Sequence, residues 1–340
     1  IHFDEFESGK RSSPPVVDFL IISGGGDWGA FGAGFLKGWG TIPREGELSR
    51  PEFEIVSGVS TGALIAPFAF IGDDEAYEAI NQLYRNPEKD WVKSRWPLAF
   101  LPNHVSLAEV PGLEREMKRV FTLEMAQEVV QRASDDRMLV VNTTNLDDAS
   151  PRVFELVGEA ERAVETKDLS RLHNILLASA GIPGAFPYRE IDGEMYVDGG
   201  VTSNIIYGGN IGEEDSLPAV WQRLYPDTPI PKIRYWIIIN NQFYAPPTVT
   251  PARWSSILMR SVSMSIRSSN LIALRHLFAM AEISRLKRNA DIEVRVVSIP
   301  DDWVPLKEGT FVKETMNDLA DLGKRMGADV NSWKSDQPGP

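Results

Sequence analysis

Apolar and polar positions along this chain fall into two rhythms. Short β-branched and aromatic runs bounded by glycine or proline mark buried strands at residues 16–22 (Val16-Val17-Asp18-Phe19-Leu20-Ile21-Ile22) and 53–57. Each run passes through a glycine-rich turn into an apolar stretch of helical length, the first from Ser23 to Trp39 and the second from Gly58 to Ile71. Two strand-turn-helix units in succession predict an α/β fold with a mostly parallel central sheet flanked by helices. Residues 138–144 and 152–156 flank Asp147-Asp148 as a hairpin, and further strands are expected at 194–197, 234–240 and 293–299. Between the last two, Ile257, Leu258, Leu271, Leu274, Leu277, Phe278 and Ala281 carry helical spacing across 253–288, and a final helix covers 312–326.

The remaining stretches lack either rhythm. Residues 84–121 hold Trp91, Trp96, Phe100 and the prolines Pro87, Pro97, Pro102 and Pro111, too irregular for one element, and are expected as an insertion over the core. Residues 1–15, polar and closing on Ser12-Ser13-Pro14-Pro15, form a tail or linker, and 331–340 a disordered tail. That leaves 16–330 as one domain.

Composition narrows the chemistry. The 340 residues are 43% hydrophobic and 24% charged, a folded globular balance, and the net charge of −13 argues against nucleic acid as a partner. Without cysteine there are no disulfides and no thiolate catalysis. The longest apolar run, 63–72, is ten residues and contains Pro67, short of the roughly 18 that a membrane-spanning helix needs. The chain opens on Ile1, so removal of an N-terminal segment is expected.

Three motifs carry candidate chemistry. Gly58-Val59-Ser60-Thr61-Gly62 is G-x-S-x-G between a strand and a helix, the setting of a nucleophile elbow, where a sharp turn strains the serine and crowds positions two before and two after it. Gly24-Gly25-Gly26 places successive backbone N–H groups at the mouth of a helix, where they can converge on a developing oxyanion. Asp198-Gly199-Gly200 sets a carboxylate at a turn after a strand.

In this order, and with Ala178-Ser179-Ala180-Gly181-Ile182-Pro183-Gly184-Ala185-Phe186-Pro187 ahead of the aspartate, the motifs resemble the patatin-like phospholipase family over about 16–299. The resemblance implies a three-layer α/β fold and a lipid acyl hydrolase of phospholipase A, lysophospholipase or esterase type, without metal or organic cofactor. It makes Ser60 the nucleophile, Asp198 its general base, and Gly25 and Gly26 the oxyanion donors. Gly24 would shape the loop, with Gly29, Gly58, Gly62, Gly199 and Gly200 in support. The family commonly has Arg or Lys two residues after the third glycine. Here Trp28 stands there beside Asp27, so positive charge near the oxyanion must come from elsewhere or be missing.

Two other readings remain open at this level. Gly24-x-Gly26-x-x-Gly29 satisfies the dinucleotide fingerprint, although Glu52 and Glu54 precede or sit within the second strand rather than closing it. Ser60, Asp198 and His276 follow the chain order of an α/β-hydrolase triad, although His276 falls inside a helix. No zinc motif occurs, and Asp147-Asp148 lacks further ligands at calcium-loop spacing.

Residues 253–295 hold eight basic against three acidic side chains, with Arg253, Arg260 and Arg267 seven apart on one helix face. That face is either a solvated surface or one that draws anionic lipid headgroups. Trp91, Trp96 and Phe100 are likewise either core or an interfacial lid. Peripheral membrane contact, and a cell-envelope or exported setting, are the corresponding expectations. Oligomeric state leaves no trace in the pattern.

Overall fold

The structure is a computed structural model describing residues 8–10, 15–88, 90–95, 105–133, 137–208, 212–244 and 247–338. In chain order the first half runs β1 (Val16–Ile22), α1 (Gly29–Trp39), β2 (Ile55–Val59), α2 (Thr61–Ile71), α3 (Asp74–Arg85), β3 (Lys93–Ser94), β4 (Ala108–Glu109), α4 (Pro111–Val120), α5 (Leu123–Arg132), β5 (Met138–Asn145) and β6 (Ser150–Glu155). The second half runs α6 (Leu156–Thr166), α7 (Ser170–Ser179), β7 (Arg189–Ile191), β8 (Glu194–Asp198), α8 (Leu217–Leu224), β9 (Lys232–Ile239), α9 (Trp254–Arg288), β10 (Ile292–Ser298) and α10 (Lys313–Gly327).

The main sheet has the order β10-β9-β1-β2-β5-β8-β7, with β6 also on β5. From β10 to β5 every pairing is parallel, and those of β5 with β6 and β8, and of β7 with β8, are antiparallel. Side chains of β1 alternate between faces: Leu20 and Ile22 join a core with α1, α2 and α10, while Phe19 and Ile21 join Leu274, Leu277 and Ala281 of α9. Helices thus cover both faces of the sheet, as buried parallel strands require.

One edge of β5 sets up the site. β2 runs parallel to it and stops with Val59 opposite Asn142, while β8 comes the other way and stops with Asp198 opposite Thr143. β6 spans the other edge, pairing with Asn142 through Val153 and with Thr143 through Arg152. The C-terminal ends of β2 and β8 therefore meet along a single strand, and the residues that leave them, Ser60 and Asp198, are brought together by hydrogen-bond register.

Two expectations change. The stretch 331–340 is not a loose tail where it is described: Trp333 is buried, its ring centroid 4.8 Å from Trp39 and 5.1 Å from both Phe35 and Trp236. Lys334 exchanges backbone hydrogen bonds with Val296 at 2.8 and 2.9 Å, which closes the free edge of β10. Within 84–121, the run 111–120 is a regular helix beginning on Pro111, and its Leu113 and Met117 belong to the core. Trp91 is also core, packed edge-on against Phe311, whereas Trp96 and Phe100 lie outside the described residues.

Candidate functional site

Ser60 joins β2 to α2 with φ 55° and ψ −123°, a conformation that costs a residue with a Cβ about 1–3 kcal/mol. The turn is too tight for side chains on either side of it. A Cβ at position 58 would lie 2.3 Å from the Gly62 carbonyl oxygen, and one at position 62 would lie 2.1 Å from that of Ile22. The backbone N–H of Ser60 donates to Ser179 Oγ (3.0 Å), whose hydroxyl in turn donates to the carbonyl of Asn142 (2.7 Å). The last residue of α7 thereby holds the turn against β5.

Asp198 is buried, and its carboxylate accepts from the Gly200 N–H (2.8 Å) and is hydrogen-bonded by the Ser60 hydroxyl. Burial pushes its pKa up to about 6, against the lowering effect of those two hydrogen bonds. Its backbone is clamped from both sides, the N–H donating to Gly181 (2.9 Å) and the carbonyl accepting from Thr144 Oγ1 (3.0 Å).

The glycine loop closes the third side. Gly24 donates its N–H to Asn204 Oδ1 (3.1 Å), and Asn204 donates to Asn270 Oδ1 on α9 (2.8 Å). Gly24 packs so closely that a Cβ there would sit 2.9 Å from Ser60 Cβ. Gly26 has φ +62°, and neither its N–H nor that of Gly25 has an acceptor among the described residues. Asn240, at the end of β9, fixes the loop from behind by donating to the Ser23 carbonyl (2.9 Å) and accepting the Gly32 N–H (2.9 Å). Sequence reasoning did not find Asn204 or Asn240, and it took in Ser179 only within the 178–187 segment, without a role. Asn204 had a readable signal, an amide six residues beyond Asp198 in the same turn, and Asn240 closes a strand end where α/β sheets form their crevices.

These groups open into a cavity of about 620 Å³ lined by Gly24, Gly25, Gly26, Ser60, Asp198 and Asn204. Its outer wall is apolar, with Val92, Leu107, Ile182, Phe186, Ile266 and Phe311, and two cations, Arg260 and Arg267, reach it from α9. Asp27 is buried beside the loop, accepts the Phe311 N–H (2.9 Å), and is raised by burial to about 6. The Trp28 ring packs edge-on against Trp303 at 5.1 Å. A hydroxyl bonded to a buried carboxylate, next to two unengaged N–H donors in an apolar pocket, can support acyl transfer.

The residues of the other readings lie elsewhere. His276 Nδ1 is engaged with the Tyr207 hydroxyl at 2.6 Å, and the ring does not line the cavity. Glu54 precedes β2 and accepts the Asp18 N–H (2.6 Å), so no acid closes that strand.

A family model described as patatin-like phospholipase matches residues 20–208, more than half of the chain, from within β1 to beyond Asn204. The chain belongs to the patatin-like phospholipase family. Membership carries lipid acyl hydrolysis as the family-level activity and lipids as the family-level substrates. Among solved structures, VipD from Legionella pneumophila is similar at 12% identity and a TM-score of 0.42, over 95% of this chain and 68% of that one. A search of curated proteins finds no match. In this patatin-like chain the cations that line the cavity stand on α9, and Trp28 occupies the glycine-loop position that is commonly basic in the family.

Proposed function

We propose that this protein hydrolyses carboxylic esters of phospholipids, lysophospholipids or related acyl lipids with a Ser60–Asp198 dyad, through an acyl-enzyme intermediate. The observation that carries the reading is the Ser60 hydroxyl bonded to a buried carboxylate at the floor of an apolar cavity. As Ser60 Oγ attacks the ester carbonyl carbon, Asp198 takes its proton, and the oxyanion accepts the free N–H groups of Gly25 and Gly26. Collapse breaks the bond to the alcohol, which leaves with the proton from Asp198. Water then attacks the acyl carbon and gives a proton to Asp198, and collapse breaks the acyl bond to Ser60 Oγ, which takes that proton back from Asp198 as the acid is released.

Since the base acts in its charged form, kcat/KM is expected to rise with pH through about 6, where Asp198 titrates. Peripheral membrane contact belongs to the same proposal. A second depression shares Leu107, Ile182 and Ala185 with the cavity, is walled by Leu258, and includes exposed Val105 and Trp254, an apolar rim suited to a lipid surface.

The test is hydrolysis of a p-nitrophenyl acyl ester series and of phosphatidylcholine vesicles by the parent, Ser60→Ala and Asp198→Asn. Loss in both variants is expected. Full activity in Asp198→Asn would refute the dyad, and an inactive parent would refute the hydrolase.

A further inference from the structure

Helix α9 carries two kinds of basic residue. Toward its C-terminal end the cations are neutralised: Arg285 pairs with Glu282 (3.0 Å), Lys287 with Glu213 (3.5 Å), and Arg288 with Glu213 (2.6 Å) and Glu214 (3.4 Å). Arg260 and Arg267 differ. They line the cavity that holds Ser60, and no carboxylate forms an ion pair with either among the described residues. Seven residues apart, they stand on one helix face about 10 Å apart along the axis.

Arg267 is held in place without being satisfied. Its guanidinium lies over the Trp28 ring, 5.9 Å from the centroid, so the residue that replaces a cation on the glycine loop is the platform for a cation from α9. Yet Arg267 Nε and Nη1 are buried and have no hydrogen-bond partner among the described residues. A buried donor without an acceptor costs about 1–3 kcal/mol, and an oxygen-rich anion in the cavity would offset that cost.

The carboxylates at hand are otherwise engaged. Asp301 Oδ1 accepts the Tyr244 N–H (2.9 Å), and Asp27 Oδ2 accepts that of Phe311 (2.9 Å). Burial first, and then the neighbouring Arg260 charge, hold the Arg267 pKa below its ordinary value against the smaller opposing pull of Asp301.

We propose that Arg260 and Arg267 form a phosphate subsite, which reads the headgroup phosphate of a phospholipid or lysophospholipid whose acyl ester lies at Ser60. The tetrahedral oxygens of a phosphate match the forked donors of a guanidinium, and the Val92, Leu107, Phe186 and Ile266 wall takes the acyl chain. The subsite rests on the hydrolase reading above and makes it specific. Among acyl lipids of equal chain length, those bearing a phosphate are preferred.

Binding is measured by titration calorimetry on the full chain carrying Ser60→Ala, so that the readout needs no turnover. The probes are monomeric dihexanoyl phosphatidic acid, dihexanoylglycerol and inorganic phosphate. The phosphate lipid should bind at least ten-fold tighter than the neutral one. That ratio should fall at least ten-fold on adding Arg260→Gln and Arg267→Gln, while Arg267→Lys retains part of it. Circular dichroism and the Lys variant separate loss of the subsite from loss of fold. Equal affinity for the two lipids, or a ratio unchanged by the double substitution, would overturn the subsite. Inorganic phosphate binding as tightly as the lipid would assign the pair to the free anion and overturn the headgroup assignment. Failure of the hydrolase reading would appear instead as an inactive parent with the binding ratio intact.

Discussion

Replacing Asp198 with asparagine should make the protein more stable and almost inactive at once. In the folded chain burial raises this carboxyl from 3.8 to about 6, so between those values the native state holds a proton that the unfolded state has released. Native stability therefore falls as pH rises from 4 to about 6, and above that the full cost of the buried charge persists. At 1.36 kcal/mol per unit the cost is about 3 kcal/mol. Asparagine keeps the shape and an oxygen for the Gly200 N–H but carries no charge.

At pH 8 the variant should thus gain up to about 3 kcal/mol, or about 4 °C in Tm for a chain of this length. Near pH 3.5 the gain should shrink toward zero. Asp27 and Glu54, also raised by burial to about 6 and about 7, are present in both proteins and cancel in the difference. Paired urea titrations at pH 3.5, 6 and 8, with ester hydrolysis at pH 8, supply the assay, and activity should fall at least ~100-fold. A variant no more stable than the parent at pH 8, or a gain undiminished at acid pH, would refute the reasoning.

Gly62→Ala should destabilise by about 3 kcal/mol, because the added methyl meets the Ile22 carbonyl at 2.1 Å and neither backbone can yield; urea unfolding measures it. Trp333→Ala should cost about 3–5 kcal/mol by emptying the space between Trp39, Phe35 and Trp236, whereas removal of a loose tail residue would cost almost nothing. Asn204→Ala releases the Gly24 N–H and the tie to Asn270, and should lower kcat about ten-fold with a smaller change in KM on a short-chain ester.

Much of the fold was legible because the signals were local. A β-branched run, a glycine turn and an apolar helix each announce themselves within a dozen residues, and β1, β2, β9, β10 and α9 fell within two residues or so of expectation. Ser60 was legible for the same reason, since only glycine fits on both sides of so tight a turn. What escaped was long-range. Trp333 is a lone aromatic in a polar stretch, and its partners are some 100 to 300 positions away in sequence. The helix 111–120 was hidden by its own Pro111, a start signal that reads as a breaker among other prolines. Ser179 and Asn240 belong to residue types found in every turn, and nothing local marks the carbonyls they serve. The seven-residue spacing of Arg253, Arg260 and Arg267 predicted a shared helix face, but only the packing of α9 across the sheet showed that the last two turn into a cavity.

The ester-facing and phosphate-facing groups of that cavity come from different stretches of the chain. The glycine loop, Ser60, Asp198 and Asn204 all precede residue 205, as do Val92, Leu107, Ile182 and Phe186 of the wall, while Asn241, Arg260, Arg267, Trp303 and Phe311 follow residue 240. The residues closest to the hydroxyl are locked by backbone register and by turns that accept no added methyl, whereas the part of the wall that carries Arg260 and Arg267 is a helix face whose side chains can change one at a time. A lineage could therefore re-specify which headgroup is read by mutations confined to residues 241–311, leaving the ester-facing turn untouched. Swapping that stretch between relatives would be the laboratory version of the same route.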